Sequence, residues 1–179
     1  MKSEEVYKLL KSEVDPWFKV AGFKRAKSLL SYYRAHGNEY IVVWFQVSQD
    51  GWDQFAGSKF IIEFQKSEAP TVGSGRLRKR ISSLCSIQEK EEIRSIQNRV
   101  INSLQTPPES HFAFHVSPQV TEWYKKKFLP DSIPYKENQD IWFRYSKPEH
   151  VLNWGQFLVT KLSDCISIIE HVPSSPLNP

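Results

Sequence analysis

The apolar residues at the start of the chain recur at helical spacing. Val6, Leu9, Leu10, Val14, Trp17 and Phe18 fall on one stripe, which predicts an amphipathic helix over 3–21. Ser3 can cap this helix, and Glu4 and Glu5 suit the positive end of its dipole. Pro16 lies inside the stripe and predicts either a kink or a fresh start after Asp15. Gly22 supplies the residue that ends such a helix. The period then shortens to two. Ser28–Arg34 reads as a strand and His36-Gly37-Asn38 as a hairpin turn. The strongest signal follows. Tyr40–Val47 is β-branched or aromatic almost throughout, and a polar loop through Asp50-Gly51 and Gly57 leads to a second run, Lys59–Lys66. Three successive strands predict an antiparallel meander. In the middle strand Ile41, Val43, Phe45 and Val47 point one way, and Val42, Trp44 and Gln46 the other. Both sets are largely apolar at the centre, which predicts a central strand covered at least in part on both faces.

Ser67–Gly75, containing Pro70 and Gly73, reads as a loop, and the densest basic run of the chain, Arg76-Leu77-Arg78-Lys79-Arg80-Ile81, follows it. Ser86 is a candidate cap for a helix over 87–105, with Ile93, Ile96, Val100, Ile101 and Leu104 as its buried stripe and acidic residues crowding its start. Pro107-Pro108 breaks that helix. His111–Val116 alternates with period two and predicts a short strand; 118–128 predicts a short helix with Lys125, Lys126 and Lys127 exposed. Asp140–Tyr145 is the last predicted strand. Pro148 fits the first turn of a final helix whose apolar face runs from Val151 through Trp154 and Leu158 to Ile169. Pro173–Pro179 reads as a loose tail. The expected fold is α+β: one domain over 1–172, with an antiparallel sheet of about four to six strands packed by N-terminal, middle and C-terminal helices.

Composition changes this picture in three respects. A chain of 179 residues can bury a core without disulfides or metal, and six tryptophans imply either a thick core or an aromatic-lined groove. The two cysteines, Cys85 and Cys165, lie far apart in apolar settings without a CxxC spacing; they read as buried thiols in a reducing cytoplasm, with no metal or cofactor implied. The first residues lack a signal-peptide core, and no apolar run reaches the roughly 20 residues of a membrane helix, so a soluble protein without a membrane partner is expected. The net charge of +4 is uneven: residues 1–90 carry 15 Lys+Arg against 10 Asp+Glu, and residues 91–179 carry 9 against 10. That modest N-terminal excess would favour a polyanion without demanding one.

The order of certain residues resembles a known family. Gly22-Phe23-Lys24 after an amphipathic helix, Tyr32-Tyr33-Arg34, Val42-Val43-Trp44-Phe45-Gln46, Phe60-Ile61-Ile62-Glu63-Phe64 and Gly75-Arg76-Leu77 are similar to bacterial proteins carrying the domain of unknown function numbered 4304. The resemblance covers roughly the first 80 residues and is loose afterwards. It implies an α+β fold and brings no assigned activity.

Candidate chemistry is sparse. Gly73-Ser74-Gly75 before Arg76, Arg78, Lys79 and Arg80 could cradle phosphate, although neither P-loop nor dinucleotide spacing is present. As a strand, this run would set Arg76, Arg78 and Arg80 on one face and Leu77, Lys79 and Ile81 on the other, suiting a polyanion or carboxylate partner. The alternative is a charged edge that deters aggregation. Glu63-Phe64-Gln65-Lys66 misses the nuclease pattern by one residue, which places its carboxylate and lysine on opposite faces. His111 and His115 on a strand would stand about 13 Å apart, too far for one ion. No Gly-x-Ser-x-Gly elbow occurs. Trp44, Trp52, Trp142 and Tyr145 could line a groove over the sheet, with Trp52 beside turn residues where exposure is favoured. The expectation is a non-enzymatic binding domain for a protein partner. Nucleic-acid or phosphate binding through Arg76, Arg78, Lys79 and Arg80 is the alternative, and an enzyme without a recognisable signature is the third reading.

Overall fold

The structure, a computed structural model, describes residues 1–27, 29–112, 117–129, 135 and 139–173, with Phe112 described by its backbone alone. Helix α1, Ser3–Val20, buries Val6, Leu10, Val14 and Phe18. The expected Ser3 cap is displaced. Lys2 is the N-cap, without a side-chain bond, because its carbonyl already accepts the backbone N–H groups of Glu5 and Val6 and closes the turn one residue earlier. Pro16 neither ends nor restarts the helix. Buried residues lie on both sides of it, and their packing outweighs one missing N–H. Gly22, at φ +78°, donates to Lys19 O at 3.2 Å, and Phe23 N donates to Phe18 O at 2.9 Å. This is a Schellman end, sealed by the Phe18 and Phe23 rings meeting edge to face at 5.3 Å.

Strands β1 (Lys24–Arg25), β2 (Leu30–His36), β3 (Glu39–Val47), β4 (Ser58–Ser67), β5 (Leu77–Arg80) and β6 (Phe143–Tyr145) form one antiparallel sheet, so the fold is α+β as expected. The order is β1-β2-β3-β4-β5; β6 pairs with Ser58–Phe60 and β5 with Glu63–Lys66, so both line one side of β4. Register carries each residue across the sheet. Tyr32, Val43, Phe64 and Lys79 make one row, and Leu30, Phe45 and Ile62 another. These rows lie under α1 and α5 (Pro148–His171), which complete a continuous core. The rows of opposite orientation are Ser31, Trp44, Glu63 and Arg80, and Tyr33, Val42, Gln65 and Arg78. Val42 and Trp44 are buried there, in agreement with an apolar strand centre on both faces.

Three sequence expectations change. The predicted strand at His111–Val116 begins instead with a helical turn, α3 (Glu109–Phe112), in which His111 N donates to Pro108 O at 2.9 Å; the remainder of that stretch, with His115, lies outside the described residues. Asp140–Tyr145 narrows to β6 because only Phe143–Tyr145 pairs with β4, while Gln97, on α2 (Ile87–Asn102), occupies the outer edge. Its amide donates to Trp142 O and accepts from Arg144 N, both at 2.8 Å, taking the place of a neighbouring strand. The pair β1 was not anticipated, and of the predicted Ser28–Arg34 strand, Ser28 lies outside the described residues. So do the tail residues after Pro173. The 118–128 helix is α4 (Pro118–Lys125), tightening into a 3-10 turn over Lys126–Phe128.

The C-terminal helix is fixed at both ends. Buried Lys66 donates to Glu170 O at 3.2 Å and Val172 O at 3.1 Å, a cation placed on the negative end of α5. Arg34 pairs with Glu170 and donates to Ala21 O at 2.9 Å. In the first turn, His150 Nδ1 accepts from Ser146 N at 3.2 Å while Nε2 meets Ser103 Oγ at 3.4 Å. Burial, helped by Lys147, holds this imidazole below its usual range, with Glu149 opposing. The folded state thus favours neutral His150. Its contribution is complete above the unfolded value near about 6.5 and is lost as pH falls through the lower folded value. The urea midpoint of the wild type should therefore fall more steeply below about pH 6.5 than that of His150→Gln; parallel curves would refute the role.

Cys85 and Cys165 lie side by side, although 80 positions separate them. Cys165 is buried as expected, whereas Cys85 is only half-buried. Their interaction pulls the Cys85 thiol down against burial and pushes Cys165 up, burial adding.

Candidate functional site

The basic run forms β5 and its approach, and it alternates as the pattern requires. Arg78 and Arg80 share a face with Glu63, while Lys79 pairs with Phe64 on the opposite face and stays exposed at the edge. The arginines already have carboxylate partners. Arg76 meets Glu68, Arg80 meets Asp140, and Arg78 Nε donates to Glu63 Oε1 at 2.7 Å. Arg80 Nε lies 3.8 Å from the second Glu63 oxygen. Glu63 also accepts from Trp44 Nε1 at 3.2 Å. A single buried carboxylate thereby joins two expected contact residues, Trp44 and Arg78, which sequence spacing could not connect. Glu63 holds the Arg78 guanidinium more firmly protonated than usual, with burial opposing. Four cations face three carboxylates here, so the run carries much less excess charge than its sequence suggests. Glu63, Arg78, Arg80, Ser82, Ser83 and Asp140 bound an open depression of about 480 Å³. Lys66, the other half of the nuclease-like tetrapeptide, is on the far face at the end of α5, as alternation requires.

The tryptophan groove does not form. Trp44 is 8% exposed, on the face opposite to the helices, whereas Tyr145 belongs to the helix-covered core. Trp142 stacks under Lys59 at 5.3 Å. Trp52 is separate, at 40% exposure on the loop between β3 and β4.

That loop builds a second polar region, which sequence reading missed. Asp53 Oδ1 accepts from Phe55 N at 2.8 Å, Ala56 N at 2.6 Å and Tyr124 OH at 2.8 Å. Burial works against its charge, but these donors outweigh it and hold the carboxyl below its usual range. His111 bonds Tyr124 OH at 3.0 Å and stands 4.0 Å from Asp53. Asp50 pairs with Lys59 at 3.1 Å and is held low chiefly by it. Lys127 and Arg144 close the same corner. Asp50, Asp53, Lys59, Lys127 and Arg144 come together only because β6 pairs with the start of β4, and no local motif records that. Among the described residues, no cluster of three or more histidines, cysteines or carboxylates could hold a metal ion, and no helix is long and apolar enough to cross a membrane. No protein-family model, curated protein or solved structure matches the chain.

Proposed function

We propose that the protein is a non-catalytic binding domain that takes a protein partner along the β5 edge. The observation that carries this reading is the position of β5. It ends the sheet order, and among the described residues no strand pairs with its outer side. Such an edge offers backbone groups to an added strand, and its side chains set specificity. Arg78 and Arg80 are clamped by Glu63 and Asp140, so their guanidinium planes are preorganised for an acidic side chain of the partner. Lys79, exposed on the other face, adds a third charge of the same sign. Exposed Trp52 is a further contact candidate on the loop that precedes β4. Cytoplasmic location and kinship with the domain-of-unknown-function family numbered 4304 belong to the same proposal. The motifs that support the kinship lie between α1 and β1, in strands β2, β3 and β4, and at the start of β5.

The test is affinity capture from the native host at low and high salt with wild type and Lys79→Glu. Lys79 can be reversed without orphaning Glu63. A protein retained by the wild type at high salt, and weakened about tenfold or more by Lys79→Glu, is the expected result. Nucleic acid that is captured at low salt and released at high salt would replace this reading with polyanion binding. A protein partner indifferent to Lys79→Glu would remove β5 from the interface.

A further inference from the structure

We infer that the corner between the 48–58 loop, the turn after α4 and β6 is a binding site for a phosphate group. Lys59, Lys127 and Arg144 line a pocket of about 70 Å³ that is partly open to solvent, with Asp50 the sole carboxylate in its described lining. Asp53 stands close behind and also acts on Lys127, so three cations face two carboxylates and one net positive charge remains at the pocket.

The cations are held in place independently of any ligand. Arg144 is fixed at three points: its backbone N–H donates to Gln97, its carbonyl accepts from Trp154 Nε1 at 2.7 Å, and its Nη1 donates to Lys127 O at 2.8 Å. Lys127 Nζ lies over the Trp123 ring at 4.1 Å and the Tyr124 ring at 5.4 Å. Lys59 is set between Asp50 and the Trp142 ring. Burial, together with Lys59 and Arg144, lowers the affinity of Lys127 for its proton, while Asp50 and Asp53 oppose. An arriving anion would relieve that repulsion.

The size and charge select the ligand class. The pocket holds a group of a few heavy atoms and is too small for a nucleobase, and a guanidinium beside two ammonium groups matches the oxygens of a phosphate. The group would be either free phosphate or the end of a phosphomonoester that projects through the open side.

Full-length protein is titrated calorimetrically with inorganic phosphate and with O-phosphoserine, at ionic strength held constant with sodium chloride. Saturable binding of phosphate is expected, weakened about tenfold or more in Lys127→Met and tightened about threefold in Asp50→Asn, which removes the repelling carboxylate. A purely structural ion-pair cluster would give no gain on Asp50→Asn. Phosphoserine binding in parallel with phosphate identifies a phosphomonoester end; phosphate binding alone identifies the free anion. The inference is overturned if the wild type shows no saturable heat with either ligand, or if Lys127→Met and Asp50→Asn both bind as the wild type does. Asp50→Asn keeps every cation, so it remains informative if Lys127→Met folds poorly.

Discussion

Gly57→Ala is expected to destabilise the protein by about 2–4 kcal/mol, several times the cost of the same change at Gly37. Both glycines have positive φ, +67° and +59°, so both substitutions carry the left-handed penalty of roughly 1 kcal/mol. Their surroundings differ. A methyl on Gly37 meets nothing within 4 Å. One on Gly57 would overlap the Tyr145 carbonyl oxygen and approach the Tyr145 carbonyl carbon and Ser146 Cα to 2.9 Å. These are backbone atoms at the end of β6 and cannot rotate away. Relief requires β6 to part from the start of β4, where Ser58 pairs with Tyr145. Urea denaturation of the two variants beside the wild type measures the difference. Equal losses would mean that the β4–β6 contact yields easily. Gly57 and Arg144 also border the proposed phosphate site, so a large stability loss should be accompanied by loss of phosphate binding.

The extent to which sequence reveals this fold follows from the range of the interactions. Ile41, Val43 and Phe45 against Val42 and Trp44 announced a central strand, since alternation and side-chain type act within a few residues. Gly22 announced the end of α1 for the same reason. Pro16 was equivocal because a local breaker competed with a tertiary face, and the face prevailed. His111–Val116 misled at its start because period-two alternation suggests a strand, whereas the turn after Pro108 is closed by a backbone bond that side-chain alternation does not encode. At the candidate site, the alternation of Arg78, Lys79 and Arg80 was legible. The neutralising partners were less so: Glu63 is 15 positions from Arg78, and Asp140 is 60 from Arg80. Counting charge along the run therefore overstated its field. The Lys59, Lys127 and Arg144 cluster had no signature at all, because three short segments meet there only after β6 finds β4 and Gln97 closes its outer edge.

The second large effect is expected at Trp154. This side chain is fully buried in α5, with the rings of Phe143 at 4.6 Å and Phe157 at 5.8 Å from its own. Its indole N–H donates to Arg144 O. Trp154→Ala removes the largest fully buried side chain in the core and should cost about 3–5 kcal/mol, since neighbours on a helix and a sheet cannot collapse fully into the space. Trp154→Phe keeps an aromatic ring against Phe143 but leaves the Arg144 carbonyl without its donor, and should cost about 1–3 kcal/mol. The two variants separate packing from anchoring. Trp154→Phe should weaken phosphate binding more than its modest stability loss implies, because Arg144 loses one of its three fixed points. Stability from urea melts and phosphate affinity from calorimetry, measured on the same samples, decide the matter. If Trp154→Phe binds phosphate like the wild type, the indole serves the core alone, and the placement of Arg144 rests on Gln97 and the Lys127 carbonyl.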